Sequence, residues 1–480
     1  MANNIDLYLD TQFTERPRSV ADIYEEIRQV YLGYPYPWVI GYSGGKDSTT
    51  ALQMVWYALA ELPPEQRQKP VYVISTDTLV ETPVIVDYID ETLRRIEERA
   101  AETGMPFKTE KLSPILNDTF WVNLIGRGYP APNSIFRWCT ERMKINPSNR
   151  FILSKVAEHG EVILVLGIRR GESSTRDQVM NMHRFRGHLL ARHGHLPGAW
   201  VYMPIEHFST DDIWTYLLQV PSPWGGDNRS LASLYRSAQD GECPLVVDDT
   251  TPSCGNSRFG CWTCTVVDRD RSMEAMIDSG EEWMIPLLDF RDWLSSTQDP
   301  TVKPEQRDYR SRDGRIKITP DGRLRWRTYT LEFSRKMLRR LLKTQLEVQE
   351  YDPEFILISE AELKEIRRLW LTERQDWEDS LPRIYTESTG KTLDWDYNDI
   401  NIPGRVELEL LQRFAQAYDL PVKLVQKLLD AEWQYYGMRR RGLIHKTIEK
   451  VLNEDWRSFE EVQEEMVQRQ ENTKAMAEAA

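Results

Sequence analysis

The stretch Trp38-Val39-Ile40-Gly41-Tyr42-Ser43-Gly44-Gly45-Lys46-Asp47-Ser48-Thr49-Thr50 constrains this chain more than any other. It opens as a short apolar run, breaks at Ser-Gly-Gly, and resumes as a helical pattern through Ala51, Leu52, Met54, Val55 and Leu59. That order predicts a buried strand, a tight turn and a helix N-terminus. A helix start presents unsatisfied N–H groups and a partial positive charge, so it suits an anion. Gly44 and Gly45 let backbone come close to that anion; Ser43, Ser48 and Thr49 add hydroxyls, and Lys46 adds a full charge. The spacing is not G-x-x-x-x-G-K-[ST], so the γ-phosphate chemistry of that loop is not expected.

Around this stretch strands alternate with helices. An amphipathic helix at 15–32 leads into the first strand. Further strands are expected at Val71–Ser75, at 107–112 (edge-like, since only part of it is apolar), at Val162–Leu166 and, shorter, at Val201–Met203. Such alternation predicts an α/β fold with a parallel sheet covered by helices. In these sheets ligands sit at the carboxyl ends of the strands. Those ends carry the polar residues: Asp77 and Glu81-Thr82 after the second strand, Gly167–Arg176 after the fourth. Arg169, Arg170 and Arg176 beside a buried strand end call for anions, with Arg169 or Arg176 able to grip a phosphate bidentately. Asp77 also has a plainer reading as a helix cap. His183, His188, His193 and His195 lack tight ligand spacing apart from the last two, so a basic loop over the site is expected there, not a metal.

The five cysteines are Cys139 and a group within 22 positions, Cys243, Cys254, Cys261 and Cys264. Cys261-Trp262-Thr263-Cys264 can place two thiolates on one metal, a third stands upstream at Cys254, and Cys139 completes four. Zinc and an iron–sulfur cluster both satisfy that set. A thioredoxin-like dithiol is disfavoured, because this C-x-x-C does not open a helix in a βαβ unit. The first residues, MANNIDLYLD, carry no basic n-region or apolar run, and nothing approaches a membrane span, so a cytoplasmic protein with reduced cysteines and no membrane partner is expected.

The net charge of −14 over 480 residues argues against a uniformly basic nucleic-acid binder. Locally the balance reverses. Between Lys303 and Lys343 stand fourteen Lys and Arg against five acidic residues, a charge of +9. Within it, Arg315–Thr319 and Arg323–Arg327 alternate around Pro320-Asp321-Gly322, which predicts a hairpin. Period two puts Arg315, Lys317, Arg323, Arg325 and Arg327 on one face and Ile316, Ile318, Leu324 and Trp326 on the other. The remainder reads as helical, with Arg439–Arg441 as a helix cap or a DNA contact and a frayed acidic tail from Glu460.

Ser43–Ser48 resembles the SGGxDS PP-loop of the ATP pyrophosphatase superfamily. Gly167–Arg176, Met203-Pro204-Ile205 and Phe208–Leu217 resemble the matching segments of PAPS reductase relatives, with Phe208 where that family has Trp. Added to Arg137-Trp138-Cys139-Thr140-Glu141-Arg142-Met143-Lys144 and Pro252–Thr265, the pattern is similar to the DndC family, sulfurtransferases of bacterial DNA phosphorothioation. The resemblance implies a PP-loop ATP pyrophosphatase domain at 1–235, a cysteine-rich iron–sulfur segment at 236–300, and a basic hairpin with a mostly helical domain at 301–480. It implies ATP bound by Ser43, Gly44, Gly45, Lys46, Asp47, Ser48, Asp77, Gly167 and Arg169. Lys46, Asp47, Arg169 and Arg176 would act in catalysis, with Mg²⁺ placed by Asp47, and a [4Fe–4S] cluster would sit on Cys139, Cys254, Cys261 and Cys264. DNA, other Dnd-type proteins and a cysteine desulfurase are the implied partners. Rival readings are a PAPS/APS reductase, whose usual C-terminal cysteine has no counterpart after Cys264, a tRNA sulfurtransferase, and a catalytically dead nucleotide-sensing scaffold.

Overall fold

The structure is a computed structural model that describes residues 19–170, 189–232, 260–393, 395, 404–436 and 441–478. The chain divides into two compact units: one takes in residues up to Phe120 and Pro132–Leu288, the other Trp121–Ala131 and Asp289–Ala480.

The first unit is built on a six-stranded sheet. Its strands are β1 (Trp38–Gly41), β2 (Val71–Thr76), β3 (Phe107–Leu112), β4 (Val162–Val165), β5 (Ala191–Arg192) and β6 (Ala199–Tyr202), in the order β3-β2-β1-β4-β6-β5. All neighbours are parallel except β5 with β6. The parallel α/β sheet is as expected, and β3 lies at an edge. The two-residue β5 has no period to read in the sequence; it exists because Ala191 and Arg192 find Val201 and Trp200 across a tight return.

Helices α1 (Val20–Gly33), α2 (Lys46–Ala60), α3 (Pro83–Thr103), α4 (Asn146–His159) and α5 (Thr210–Gln219) surround the sheet. Strand β1 is buried throughout, and its alternate residues look opposite ways. Trp38 packs edge-on against Tyr31 of α1, ring centroids 5.4 Å apart. Val39 joins Tyr72, Ile74, Leu164 and, from α4, Ile152 in a core cluster on the other side. Chain order runs outward from β1 through β2 to β3, then jumps to β4 on the opposite flank. The switch therefore falls between β1 and β4, where open α/β sheets hold their ligands.

The second unit is helical: α6 (Leu331–Gln349), α7 (Glu360–Glu373), α8 (Ser380–Thr389), α9 (Arg405–Ala417), α10 (Val422–Gln434), α11 (Ile444–Leu452) and α12 (Phe459–Glu478). The π turn Val122–Gly126 is held in it by Trp370, whose Nε1 donates to Ile125 O at 3.0 Å, and by the half-buried Arg374, whose guanidinium donates to Ser334 Oγ and to the carbonyls of Ile125 and Tyr329.

Two expectations are corrected here. The 315–327 segment turns where expected, with Gly322 at φ +76° and Thr319 N donating to Arg323 O at 2.9 Å, but it forms isolated bridges such as Ile318–Leu324 in place of regular strands. The tail is not frayed: α12 runs for 20 residues and backs that turn. Phe459 meets Tyr309 and Trp326, Val462 is fully buried, and Arg469 Nη1 donates to Ile318 O at 3.2 Å. Its acidic composition hid a narrow inward stripe. Of Arg439–Arg441 only Arg441 lies within the described residues, and it pairs with Glu432 at 2.9 Å.

Candidate nucleotide and thiol site

After β1 the chain passes Tyr42, whose N–H still donates to Ile74 O, and turns at Gly44 with φ +74°. A Cβ there would stand 3.1 Å from Ile89 Cγ1, so both the conformation and the space favour glycine. Gly45 is the N-cap of α2 and brings no side-chain cap, which leaves the helix start to face an anion. Ser43 and Ser48 tie the loop to itself. Their hydroxyls lie 3.0 Å apart, and Ser48 Oγ donates to Gly45 O at 3.0 Å.

Three charged side chains converge behind the loop. Asp47 Oδ2 lies 3.3 Å from Lys46 Nζ, and Asp47 Oδ1 accepts from Arg169 Nε at 2.6 Å. All three are buried, Asp47 with only 2% of its surface exposed. Asp47 thus holds two cations from different strand ends against the turn. Arg169 arrives because β4 exits through Gly167, where a Cβ would meet Asp47 O at 2.7 Å and Ser48 N at 2.8 Å. Next to it Arg170 is tied to Glu206 through both its backbone N–H and its Nε, at 2.8 and 2.6 Å. Arg176, His183 and His188 lie outside the described residues. His193 Nδ1 accepts the backbone N–H groups of His195 and Leu196, a turn-forming role.

Beside β1, Asp77 follows directly on the end of β2. Its Oδ1 accepts Leu79 N at 2.8 Å and its Oδ2 lies 3.1 Å from Lys111 Nζ, so it shapes a turn and an ion pair and caps no helix. With Ser75, Thr76, Glu81, Ile89 and Lys111 it lines a small crevice.

The C-x-x-C turn docks on this same loop. Trp262 N donates to Val80 O at 3.0 Å, Thr82 N donates to Gly260 O at 3.1 Å, and Glu81 and Cys261 form an antiparallel bridge. Thr78 Oγ1 lies 3.2 Å from Cys261 Sγ, and Cys264 N closes the turn on Cys261 O. Cys139 comes from the Arg137–Lys144 segment. Burial pushes its thiol up to about 12, helped by the negative charge that Cys261 and Cys264 would carry. Burial likewise raises Cys261 to about 11, against the opposing pull of Lys144. Three of the four expected cysteines therefore lie within electrostatic reach of one another; Cys254 and Cys243 lie outside the described residues. Among the described residues, no group of three or more His, Cys, Asp or Glu is arranged to hold a metal ion.

Residues 37–267 match the phosphoadenosine phosphosulfate reductase domain. This part of the chain, just under half of it, is similar to that domain and has its PP-loop type of parallel α/β fold. A curated relative, the uncharacterized protein MJ0066 of Methanocaldococcus jannaschii, is 28% identical over 254 residues, 52% of this chain; the chain spans only 41% of that protein's length. Similar solved structures include a PAPS reductase from Candida auris in a phosphate complex, at 14% identity and TM-score 0.28, covering 44% of this chain and 84% of that one. Another is the U34-tRNA thiolase NcsA from Methanococcus maripaludis with its [4Fe-4S] cluster, at 16% identity and TM-score 0.27, covering 45% and 72%.

Within the PAPS reductase-like domain two residues gain a place that sequence reasoning did not assign them. Glu81 is buried, which raises its pKa, and its carboxylate lies 3.6 Å from Lys144 Nζ. The pair is coupled to both neighbours: Asp77 adds to the repulsion on Glu81, and both members act on Cys261. Lys144 was visible as the last residue of the Arg137–Lys144 pattern. Glu81 carried no signal beyond following a strand end.

Proposed function

We propose that this chain is an ATP-dependent sulfurtransferase that activates a DNA backbone phosphate for sulfur incorporation. One observation carries the reading: the PP-loop with Lys46 and Arg169 on Asp47, and the cysteine turn at Cys261, sit at the ends of adjacent parallel strands. A nucleotide-activating loop beside buried thiols suits a reaction that joins adenylation to sulfur chemistry.

The chemical obstacle is a non-bridging phosphate oxygen, a very poor leaving group. Attack by that oxygen on the α-phosphorus of ATP forms a new P–O bond and expels pyrophosphate. The terminal sulfur of a persulfide then forms a bond to the backbone phosphorus and AMP leaves with the activated oxygen. A thiol reductant cleaves the resulting S–S bond, supplying the two electrons that leave the phosphorothioate and free the carrier thiol. Ser43, Gly44, Gly45, Lys46 and Ser48 hold the departing pyrophosphate, and Arg169, aligned by Asp47, steadies the charge that builds on the phosphates. Arg176 is assigned the same task by its place in the motif. Mg²⁺ would enter with the nucleotide, near Asp47. Asp77 and Gly167 bound the adenosine and phosphate ends of the site.

The proposal of a metal centre rests on the residue types and on the mutual electrostatic reach of Cys139, Cys261 and Cys264, with Cys254 as the fourth donor. Without a cation Cys139 and Cys261 are protonated at neutral pH; a metal centre would draw them to thiolates. A [4Fe–4S] centre on Cys139, Cys254, Cys261 and Cys264 would supply a place to hold sulfur delivered by a cysteine desulfurase. DNA and other modification proteins complete the proposed partners. The domain match also favours a PAPS reductase reading, which is separated by its product, sulfite.

The test is product analysis. With Mg²⁺ and DNA the chain should release AMP and pyrophosphate, and Lys46→Ala should abolish the release. ADP and phosphate as main products would sink the PP-loop reading. Thiolated tRNA in place of phosphorothioate DNA, after reconstitution with a sulfur donor, would move the assignment to a tRNA sulfurtransferase.

A further inference from the structure

Helix α9 shows a full apolar stripe to solvent. Val406, Leu410 and Phe414, followed by Tyr418 just past the helix, recur every fourth residue and are 74%, 52%, 54% and 71% exposed. The adjoining flank does the helix's own packing through Leu411 and Ala415, both buried. The next helix, α10, carries a second outward set, Leu429, Trp433 and Tyr436, with the last two rings stacked at 6.1 Å. Scattered exposed apolar residues are ordinary on a protein surface. A continuous stripe along a helix marks an interface.

We propose that the occupant is a second copy of this chain, with α9 pairing antiparallel to itself about a two-fold axis near Gln412. The charges beside the stripe select that partner and that direction. Residues four apart are neighbours along one helix edge. Arg405, Glu409 and Arg413 form such an edge beside Val406 and Leu410, where Arg405 Nε donates to Glu409 at 3.1 Å and the Glu409 side chain stays exposed. Antiparallel pairing about Gln412 sets Val406 against the partner's Tyr418 and Leu410 against the partner's Phe414. It also brings Glu409 within a turn of the partner's Arg413, and the two-fold axis repeats that pair. A parallel pairing about a two-fold axis would put the two copies of this edge on opposite sides of the seam, with no Glu409–Arg413 pair across it. The surface is thus complementary to itself in one orientation, as an isologous interface requires. This inference stands apart from the catalytic reading and uses none of its residues.

Sedimentation equilibrium on the full chain tests it. The wild type should dimerise in the micromolar range. Leu410→Glu combined with Phe414→Glu should weaken dimerisation by roughly a hundredfold. Because those side chains are exposed, circular dichroism should show an unchanged fold. Glu409→Arg and Arg413→Glu should each weaken self-association at low salt by about tenfold, since like charges then face across the axis. An equimolar mixture of these two variants should recover it as a heterodimer, because each supplies what the other lacks. A wild-type chain that stays monomeric at about 50 µM would overturn the proposal. So would a mixture that associates no better than either variant alone, which would assign the stripe to a different protein or to the chain's own residues.

Discussion

Replacing Gly167 with Ala tests whether the β4 exit and the α2 start must touch for the site to exist. The added Cβ would lie 2.7 Å from Asp47 O and 2.8 Å from both Asp47 C and Ser48 N. Carbon contacts are comfortable only from roughly 3.5 Å, so the two segments must part by roughly 0.7 Å. All three obstructing atoms are backbone in a helix's first turn, with no flexible end to swing aside. Overpacking of this kind costs about 1–3 kcal/mol. For a unit of this size that corresponds to a fall in melting temperature of roughly 3–10 °C. The larger consequence is local. Arg169 follows by two residues, and its 2.6 Å bond to Asp47 cannot survive the separation unaltered. Isothermal titration with ATP and Mg²⁺ should show affinity falling by about tenfold or more, the effect of losing a charge-assisted contact. Gly442→Ala is the control, because nothing lies within 4 Å of a Cβ there. If Gly167→Ala melts like wild type and binds ATP equally well, the close approach is not what positions Arg169.

Three further outcomes are expected. Anaerobically purified chain should carry about four iron if the centre is [4Fe–4S]; Cys139→Ser, Cys261→Ser and Cys264→Ser should each lose it, Cys243→Ser should keep it, and stoichiometric zinc would refute the cluster. Changing Lys317, Arg323 and Arg325 together to Ala should lower the slope of log affinity for DNA against log salt by up to about three, and no change in slope would make the hairpin a solvated face. Asp430 is held up at about 6 by burial, with Trp377 Nε1 donating to it at 3.2 Å. Its folded pKa lies above the unfolded one, so the native state binds more protons between about pH 4 and 6, and stability is lost as pH rises through that window. Asp430→Asn should therefore stabilise the helical unit by about 2 kcal/mol at pH 7 and gain nothing near pH 4; equal melting of variant and wild type at pH 7 would show the carboxylate is not strained.

How much of this was legible beforehand depended on distance along the chain. The strand, turn and helix around Ser43–Ser48 were readable because apolar period and glycine placement act within a dozen residues. The two faces of the 315–327 segment were readable in part for the same reason: Arg315, Lys317, Arg323 and Arg325 are exposed and Leu324 is buried, but Arg327, expected on the outer face, is half-buried, as are Ile316, Ile318 and Trp326. The C-x-x-C spacing announced two thiols on one turn, and the turn is there. The tail was misjudged because its inward stripe is one residue wide and gains meaning only from Tyr309, Trp326 and Gly322, which lie far earlier in the chain.

The pairings that make the site came from the tertiary structure alone. Arg169 reaches Asp47 across 122 positions, and Thr78 meets Cys261 across 183. Nothing in the local pattern of either residue names its partner: sheet order sets β4 beside β1 for the first pair, and backbone bonds from Trp262 to Val80 and from Thr82 to Gly260 dock the thiol turn after β2 for the second. Glu81 and Lys144 show the same division. Their residue types were plain in the sequence, but burial between a strand end and a thiol turn is what shifts the Glu81 carboxyl and brings both charges to bear on Cys261. Local sequence determined which groups this protein could offer, because secondary structure follows short-range period. Long-range packing decided which groups meet, because low-dielectric burial turns a nearby charge into a strong one.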